Sequence, residues 1–209
     1  PETTSAKIST TQMDLTDDEA VHHTLSNLET LDGVINAVGF LHGSGVQPEK
    51  SISRTNPSSL LKNMEINTLP TLLLAKHSRH LLKASQAGSF SSISAKVGSI
   101  EDNRLGGWYS YRASKAALNM LLKTSAIEYQ RTLPELRFIA FHPGTTDTPL
   151  SKPFQRSVPE GKLFTPDFVA AALLARLSEA LAPVEEEAGD NRKRPPAFFV
   201  AWDGSEIPW

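Results

Sequence analysis

The sequence has 209 residues, 39% hydrophobic and 21% charged, with a formal net charge of −2; such a chain can enclose a substantial core, and one domain spanning 1–209 is expected. The near-neutral charge offers no basic face to a phosphate backbone, and no apolar run approaches the roughly 20 residues of a membrane span, so neither nucleic acid nor a membrane is an expected partner. Cysteine is absent, which excludes disulfides, thiolate nucleophiles and cysteine-ligated zinc.

Short β-like runs alternate with longer helical ones, the pattern of a parallel sheet covered by helices. Lys7 to Met13 is compatible with a strand. Thr16-Asp17-Asp18-Glu19 has the form of a capping box, and the helix it opens carries Val21, Leu25 and Leu28. Val34-Ile35-Asn36 reads as a short buried strand. A long helix is predicted after Asn56-Pro57-Ser58, with Leu60, Leu61, Met64, Leu72, Leu73 and Leu81 on its buried side. Pro70 has no amide hydrogen, leaves the Ile66 carbonyl without its helical partner and should bend that helix. Phe90 to Ser94 is the next strand. A polar loop through Gly106-Gly107 leads to a helix from Tyr109 to Tyr129, with Ala113, Ala117, Met120 and Leu121 on its apolar face.

Leu136 to Phe141 lacks alternation and reads as a central strand buried on both faces, ended by His142-Pro143-Gly144. Thr165-Pro166-Asp167 supplies a cap, a first-turn proline and a first-turn acid for a helix over Phe168 to Leu181. Pro183 to Pro196, glutamate-rich and then arginine-rich, reads as a charged solvated loop, and Ala197 to Trp202 as a last strand.

In open α/β sheets ligands bind beyond the carboxyl ends of the strands, which directs attention to the residues after Met13, Asn36, Ser94 and Phe141. Tyr111 and Lys115 stand four apart on a predicted helix and so share one face. An ammonium beside a phenol favours the phenolate, bringing proton exchange with a substrate hydroxyl closer to neutral pH. Taken alone, that spacing is also met on solvated helices; its neighbours give it meaning.

The stretch Gly106 to Leu118, Gly-Gly-Trp-Tyr-Ser-Tyr-Arg-Ala-Ser-Lys-Ala-Ala-Leu, resembles the active-site helix of the short-chain dehydrogenases/reductases. Four further features resemble that family's, in its order: Asp14-Leu15-Thr16, Asn36-Ala37-Val38-Gly39, Asn67 in the bent helix, and the segment Pro143 to Thr148. The resemblance runs from Lys7 to Trp202. Val97-Gly98-Ser99-Ile100, together with Gly106 to Tyr111, makes the pattern most similar to C-factor-like and sniffer-like carbonyl reductases.

The resemblance implies a Rossmann-type α/β fold, a doubly wound parallel sheet with helices on both faces. It implies an oxidoreductase that uses NAD or NADP, which the sequence does not distinguish, to move a hydride between nicotinamide and a small carbonyl or alcohol substrate. Tyr111 would be the general acid or base, and Lys115 would lower its pKa and hold the nicotinamide ribose. Asn67 would anchor a water joining Lys115 to solvent. Asp14 would hold the adenine amino group, with Asn36 and Gly39 at the cofactor floor. Pro143, Gly144, Thr146 and Thr148 would close over the nicotinamide, the two threonines holding its carboxamide and the adjacent phosphate. A homodimer or homotetramer is implied too, built on the helices around Leu60 to Leu82 and Tyr109 to Tyr129.

Three departures accompany the resemblance. The usual Asn-Asn-Ala-Gly is Asn36-Ala37-Val38-Gly39 here. Counting three residues back from Gly98 places the family's substrate-binding serine on Ala95; Ser94 is the neighbouring candidate, alternatively a residue that only satisfies backbone groups at the strand end, and Ser99 is the fallback. No glycine-rich phosphate-binding turn precedes Asp14, and the 13 residues before it are fewer than the roughly 30 of a βαβ unit. The expectation is that the first βαβ portion is missing from this chain. The alternative is a catalytically silent interaction or signalling protein that keeps the fold.

Histidine suggests no metal: His22 and His23 face different sides of a helix, and His77 and His80 lack an obvious third ligand. Phe40, Leu41, His42, Trp108 and Phe154 either contact an apolar or aromatic carbonyl compound or pack as core and rim. Pro1 to Lys7 do not read as a signal peptide, so a cytoplasmic location is expected, an organelle staying open should the native start lie upstream.

Overall fold

A computed structural model describes residues 7–83, 88–182 and 195–209. In chain order its elements are α1 (Asp18–Ser26), β1 (Gly33–Asn36), α2 (Pro57–Leu82), β2 (Ser89–Ile93), α3 (Tyr109–Gln130), β3 (Arg137–His142), β4 (Thr145–Thr146), β5 (Leu163–Phe164), α4 (Pro166–Leu181) and β6 (Ala197–Ala201). Four of the strands form one parallel sheet in the order β1-β2-β3-β6, and β4 and β5 make a separate two-stranded ribbon.

Strand periodicity sorts the side chains of β3 between two cores. Phe138 and Ala140 join Val21 of α1, Leu74 of α2 and Leu122 of α3 on one face. Ile139 and Phe141 join Leu173 and Leu177 of α4 and Val200 of β6 on the other. Helices therefore cover both faces, and the chain has the doubly wound Rossmann-type α/β fold expected from the sequence. Among the described residues no helix is long and apolar enough to cross a membrane.

Caps place the helices. The Asn56 side chain accepts from the Ser58 amide, ahead of Pro57 in the first turn of α2, and the Thr165 hydroxyl accepts from the Phe168 amide at the start of α4; each satisfies a donor that the helix leaves open. α1 starts one residue later than the capping box implies. Asp17 is its N-cap, accepting from Glu19 and Ala20, while Thr16 bonds to Asp14 instead.

Other expectations fail for identifiable reasons. Lys7 to Met13 has no strand pairing, and Ile8 is exposed. Leu28 lies beyond α1 and is exposed, as are Leu60, Leu61 and Leu72 of α2. The interior side of α2 carries Asn63, Asn67, Thr68, Thr71 and Ser78 among its apolar residues, so a count of leucines misassigns the face. The same holds for α3. Ala113 and Met120 are exposed, and the buried side includes Ser110, Tyr111, Ser114, Lys115 and Asn119 ahead of Leu122, Ala126 and Tyr129. The bend expected at Pro70 falls inside a helix that runs on both sides of it. Of the charged loop expected over Pro183 to Pro196, residues 183–194 lie outside the described residues.

Candidate active site

α3 runs alongside α2 with its polar face turned inward, so Tyr111 and Lys115 are both buried, at 7% and 2% exposure. Lys115 Nζ donates to the Ile93 carbonyl oxygen at the end of β2, at 2.9 Å. It lies 5.8 Å from the centroid of the Tyr111 ring. Gly98 fixes this arrangement by close approach: a Cβ there would stand 2.9 Å from both the carbonyl carbon and the Cβ of Lys115. The turn after β2 therefore packs directly on the backbone of the lysine.

Burial governs both ionisable groups. It pushes the Tyr111 phenol above its ordinary range and brings the Lys115 ammonium down to about 8. The expected lowering of the phenol by its neighbour is thus outweighed. Desolvation disfavours the charged form of each group, and the ammonium is engaged with the Ile93 carbonyl.

Asn67 ties α2 to the loop after β1. Its Oδ1 accepts from the Phe40 amide at 2.7 Å, and its Nδ2 donates to the Phe40 carbonyl and to Ser114 Oγ, both at 2.9 Å. The side chain is fully buried and spent on positioning. A Cβ on Gly39 would lie 3.7 Å from Lys115 Nζ and 4.0 Å from Asn67 Oδ1. Gly39, Asn67 and Lys115 thus meet at one place, which their separation in sequence concealed. Asn36 serves the scaffold: its Nδ2 donates to Thr71 Oγ1 at 3.0 Å, and its Oδ1 accepts from the Val38 amide at 3.1 Å.

Both candidate serines are buried and hydrogen-bonded. Ser94 is 2% exposed and donates to Asn119 Oδ1. Ser99 is equally buried, its Oγ accepting from the Asp102 amide. The Ser94 hydroxyl, the candidate expected at the substrate, bridges the end of β2 and α3.

Asp14 stands apart, on the surface, where its carboxylate accepts from the amide and hydroxyl of Thr16. Those bonds, the backbone one foremost, hold it below the usual carboxylate range. It borders a groove shared with Val38, Ile66 and Pro70. At the other end of the site, Pro143 and Gly144 join β3 to β4, and Thr148 follows closely. Thr146 Oγ1 is buried without a hydrogen-bond partner.

The entry to α3 is unusual. Gly106, Gly107 and Trp108 have φ values of 64°, 68° and 51° in succession. Glycine adopts that region freely, but for Trp108 it costs about 1–3 kcal/mol. Sequence reasoning missed the group that holds this turn, Glu49, whose carboxylate meets a residue 61 positions away; no local spacing announces such a contact. It also missed Ser114 and Asn119, although both lie on the helical face that Tyr111 and Lys115 define.

A model of the short chain dehydrogenase family matches residues 1–158. The chain belongs to that family. A 1-hydroxy-2-glutathionyl-2-methyl-3-butene dehydrogenase from Rhodococcus sp. (strain AD45) is 30% identical over 192 residues, covering 91% of this chain and 78% of that one. The fold is that of the carbonyl reductase Sniffer of D. melanogaster, with a TM-score of 0.74 at 22% identity over 95% of this chain and 77% of that one. An NADPH-bound carbonyl reductase from chicken fatty liver gives a TM-score of 0.73 at 24% identity, over 94% and 75% of the two chains. The protein is accordingly an oxidoreductase of the short-chain dehydrogenase type.

The residues present fit the nicotinamide nucleotide that this family uses. Lys115 spends one of three N–H donors on Ile93, leaving two for ribose hydroxyls. The unpartnered Thr146 hydroxyl offers a donor and acceptor to an amide or phosphate, and Val38 in the groove beside Asp14 adjoins Gly39, which approaches Lys115.

Proposed function

We propose that the protein interconverts a carbonyl compound and its alcohol with NAD or NADP, using Tyr111 as the proton-transferring group. The observation that carries this reading is the burial of Tyr111 and Lys115 on one face of α3, at the carboxyl end of β2. A bound nicotinamide supplies or accepts the hydride.

The chain's own residues do the rest. Tyr111 holds its proton to high pH because burial disfavours the phenolate, which suits a general acid that protonates the oxygen of a carbonyl under reduction. Lys115 holds ribose hydroxyls with its remaining donors and places positive charge beside the phenol. Asn67 keeps the Phe40 backbone and Ser114 in register with Lys115. Thr146 and Thr148 orient the carboxamide and neighbouring phosphate, and Asp14 takes the adenine end.

Tyr111→Phe tests the assignment. It should lower turnover by about 100-fold or more while NADPH binding, read by fluorescence titration, is kept. Retained turnover would remove Tyr111 from the reaction. Self-association as a homodimer or homotetramer forms part of the same reading, supported by exposed Leu61, Met120 and Ile127 on α2 and α3. Sedimentation should give a multiple of the chain mass, and a monomer would overturn that part.

A further inference from the structure

Glu49 lies in the loop after β1 and is 5% exposed. Its carboxylate accepts from the Ser110 amide at 3.2 Å and from the Ser110 hydroxyl, and its own carbonyl oxygen accepts from the Trp108 amide at 2.6 Å. α3 receives no side-chain cap from Trp108, its N-cap residue. A carboxylate brought in from another segment satisfies donors of the first turn and complements the positive end of the helix dipole. Within α3, Arg112 Nε donates to the carbonyls of Gly106 and Gly107 at 3.2 and 3.0 Å. The left-handed turn through Trp108 is therefore clamped by two charged side chains, the over-determination that a strained backbone requires.

The clamp places an aromatic surface beside the reacting phenol. Trp108 and Tyr111 meet edge to face, with centroids 6.1 Å apart and planes at 71°. Phe154 stands 5.1 Å from Trp108, and His42 stands 5.7 Å from Phe154. These rings come from three separate chain segments, and Trp108, Phe154 and His42 each keep part of their surface in solvent. Rings arranged in this way offer edges and faces to a further flat ring.

We propose that Glu49 is a positioning residue that fixes Trp108 as one wall of an aryl-binding subsite beside Tyr111, so that the carbonyl substrate carries an aromatic group next to the reacting carbon. The proposal rests on the carbonyl-reductase reading above and names its substrate class.

The test compares 1-phenyl-1,2-propanedione with 2,3-butanedione, which differ by phenyl for methyl, as substrates of the full-length protein with NADPH and NADH. The phenyl compound should be preferred by roughly tenfold or more in kcat/KM, and Trp108→Ala should remove most of that preference through KM. Glu49→Gln, which keeps the volume and removes the charge, should reduce the preference by about threefold or more. It carries the test if Glu49→Ala fails to fold. A purely structural role for Glu49 would lower melting temperature and slow both substrates alike. Preference ratios within about twofold of wild type in both variants overturn the proposal. If neither diketone is reduced, the reductase reading fails separately, and the subsite is decided by the Trp108 indole N–H resonance during titration with 1-phenyl-1,2-propanedione. A saturating shift, lost in Glu49→Gln, supports the subsite; no shift overturns it.

Discussion

Ser94 donates its hydroxyl to Asn119 Oδ1 at 2.6 Å, with both side chains buried. The bond joins the end of β2 to α3 and leaves Ala95 at the position where the family carries its serine. Ser94→Ala should lower stability by about 1–3 kcal/mol, because Asn119 keeps an unsatisfied acceptor inside the fold. It should change kcat/KM for carbonyl reduction by less than about threefold. Urea unfolding and steady-state kinetics check both. A loss of about 100-fold in kcat/KM with stability intact would return Ser94 to the reacting groups.

Lys115 titrates near 8, whereas Tyr111 keeps its proton well above that. Below pH 8 the ammonium is charged and the phenol is protonated, the pair that reduction needs. The kcat/KM for reduction should therefore be level on the acid side and fall on an alkaline limb centred near that value. A profile level to about pH 10 would take Lys115 titration out of the reaction.

The same group bears on folding. Its pKa is 10.5 when unperturbed and about 8 in the fold, so between those values the unfolded chain binds more protons and stability rises with pH. The penalty is complete below pH 8 and gone above 10.5. Lys115→Met should raise stability at pH 7 by on the order of 2–3 kcal/mol and flatten the rise, while abolishing turnover. Urea midpoints across that pH range decide the matter, and equal slopes in the two proteins would contradict it.

Asn67→Ala removes four bonds at once, two to Phe40, one to Ser114 and a longer one to Asn63. A loss of about 2–4 kcal/mol is expected, with a larger effect on nucleotide affinity than the distance of Asn67 from solvent suggests. Hydrogen exchange at the Phe40 amide should rise with it. An unchanged Phe40 amide would show that the loop is held by other contacts.

The elements were readable because their signals are local. Asn56-Pro57 opens α2, Thr165-Pro166-Asp167 opens α4, and the apolar run Phe138 to Phe141, without alternation, marks β3 as central. The orientation of α3 was not readable from hydrophobicity, since its interior face carries Ser110, Ser114, Lys115 and Asn119. Family motifs located Tyr111, Lys115 and Asn67, but what Asn67 touches depends on a loop 27 residues away. Glu49 escaped for the same reason. Lys7 to Met13 was misjudged because apolar and β-branched residues make a strand only when a partner supplies the ladder.

The contact between Gly98 and the Lys115 backbone acts as a ruler for any redesign of the site. Lengthening the turn at 95–98 to bring a serine into the family's register would press against the peptide that carries the lysine, so a gain in hydrogen bonding to substrate would come with a displaced ammonium. Single substitution at Ala95 leaves that spacing alone. Broader specificity is more accessible from the segments around His42 and Phe154, which lie outside α3.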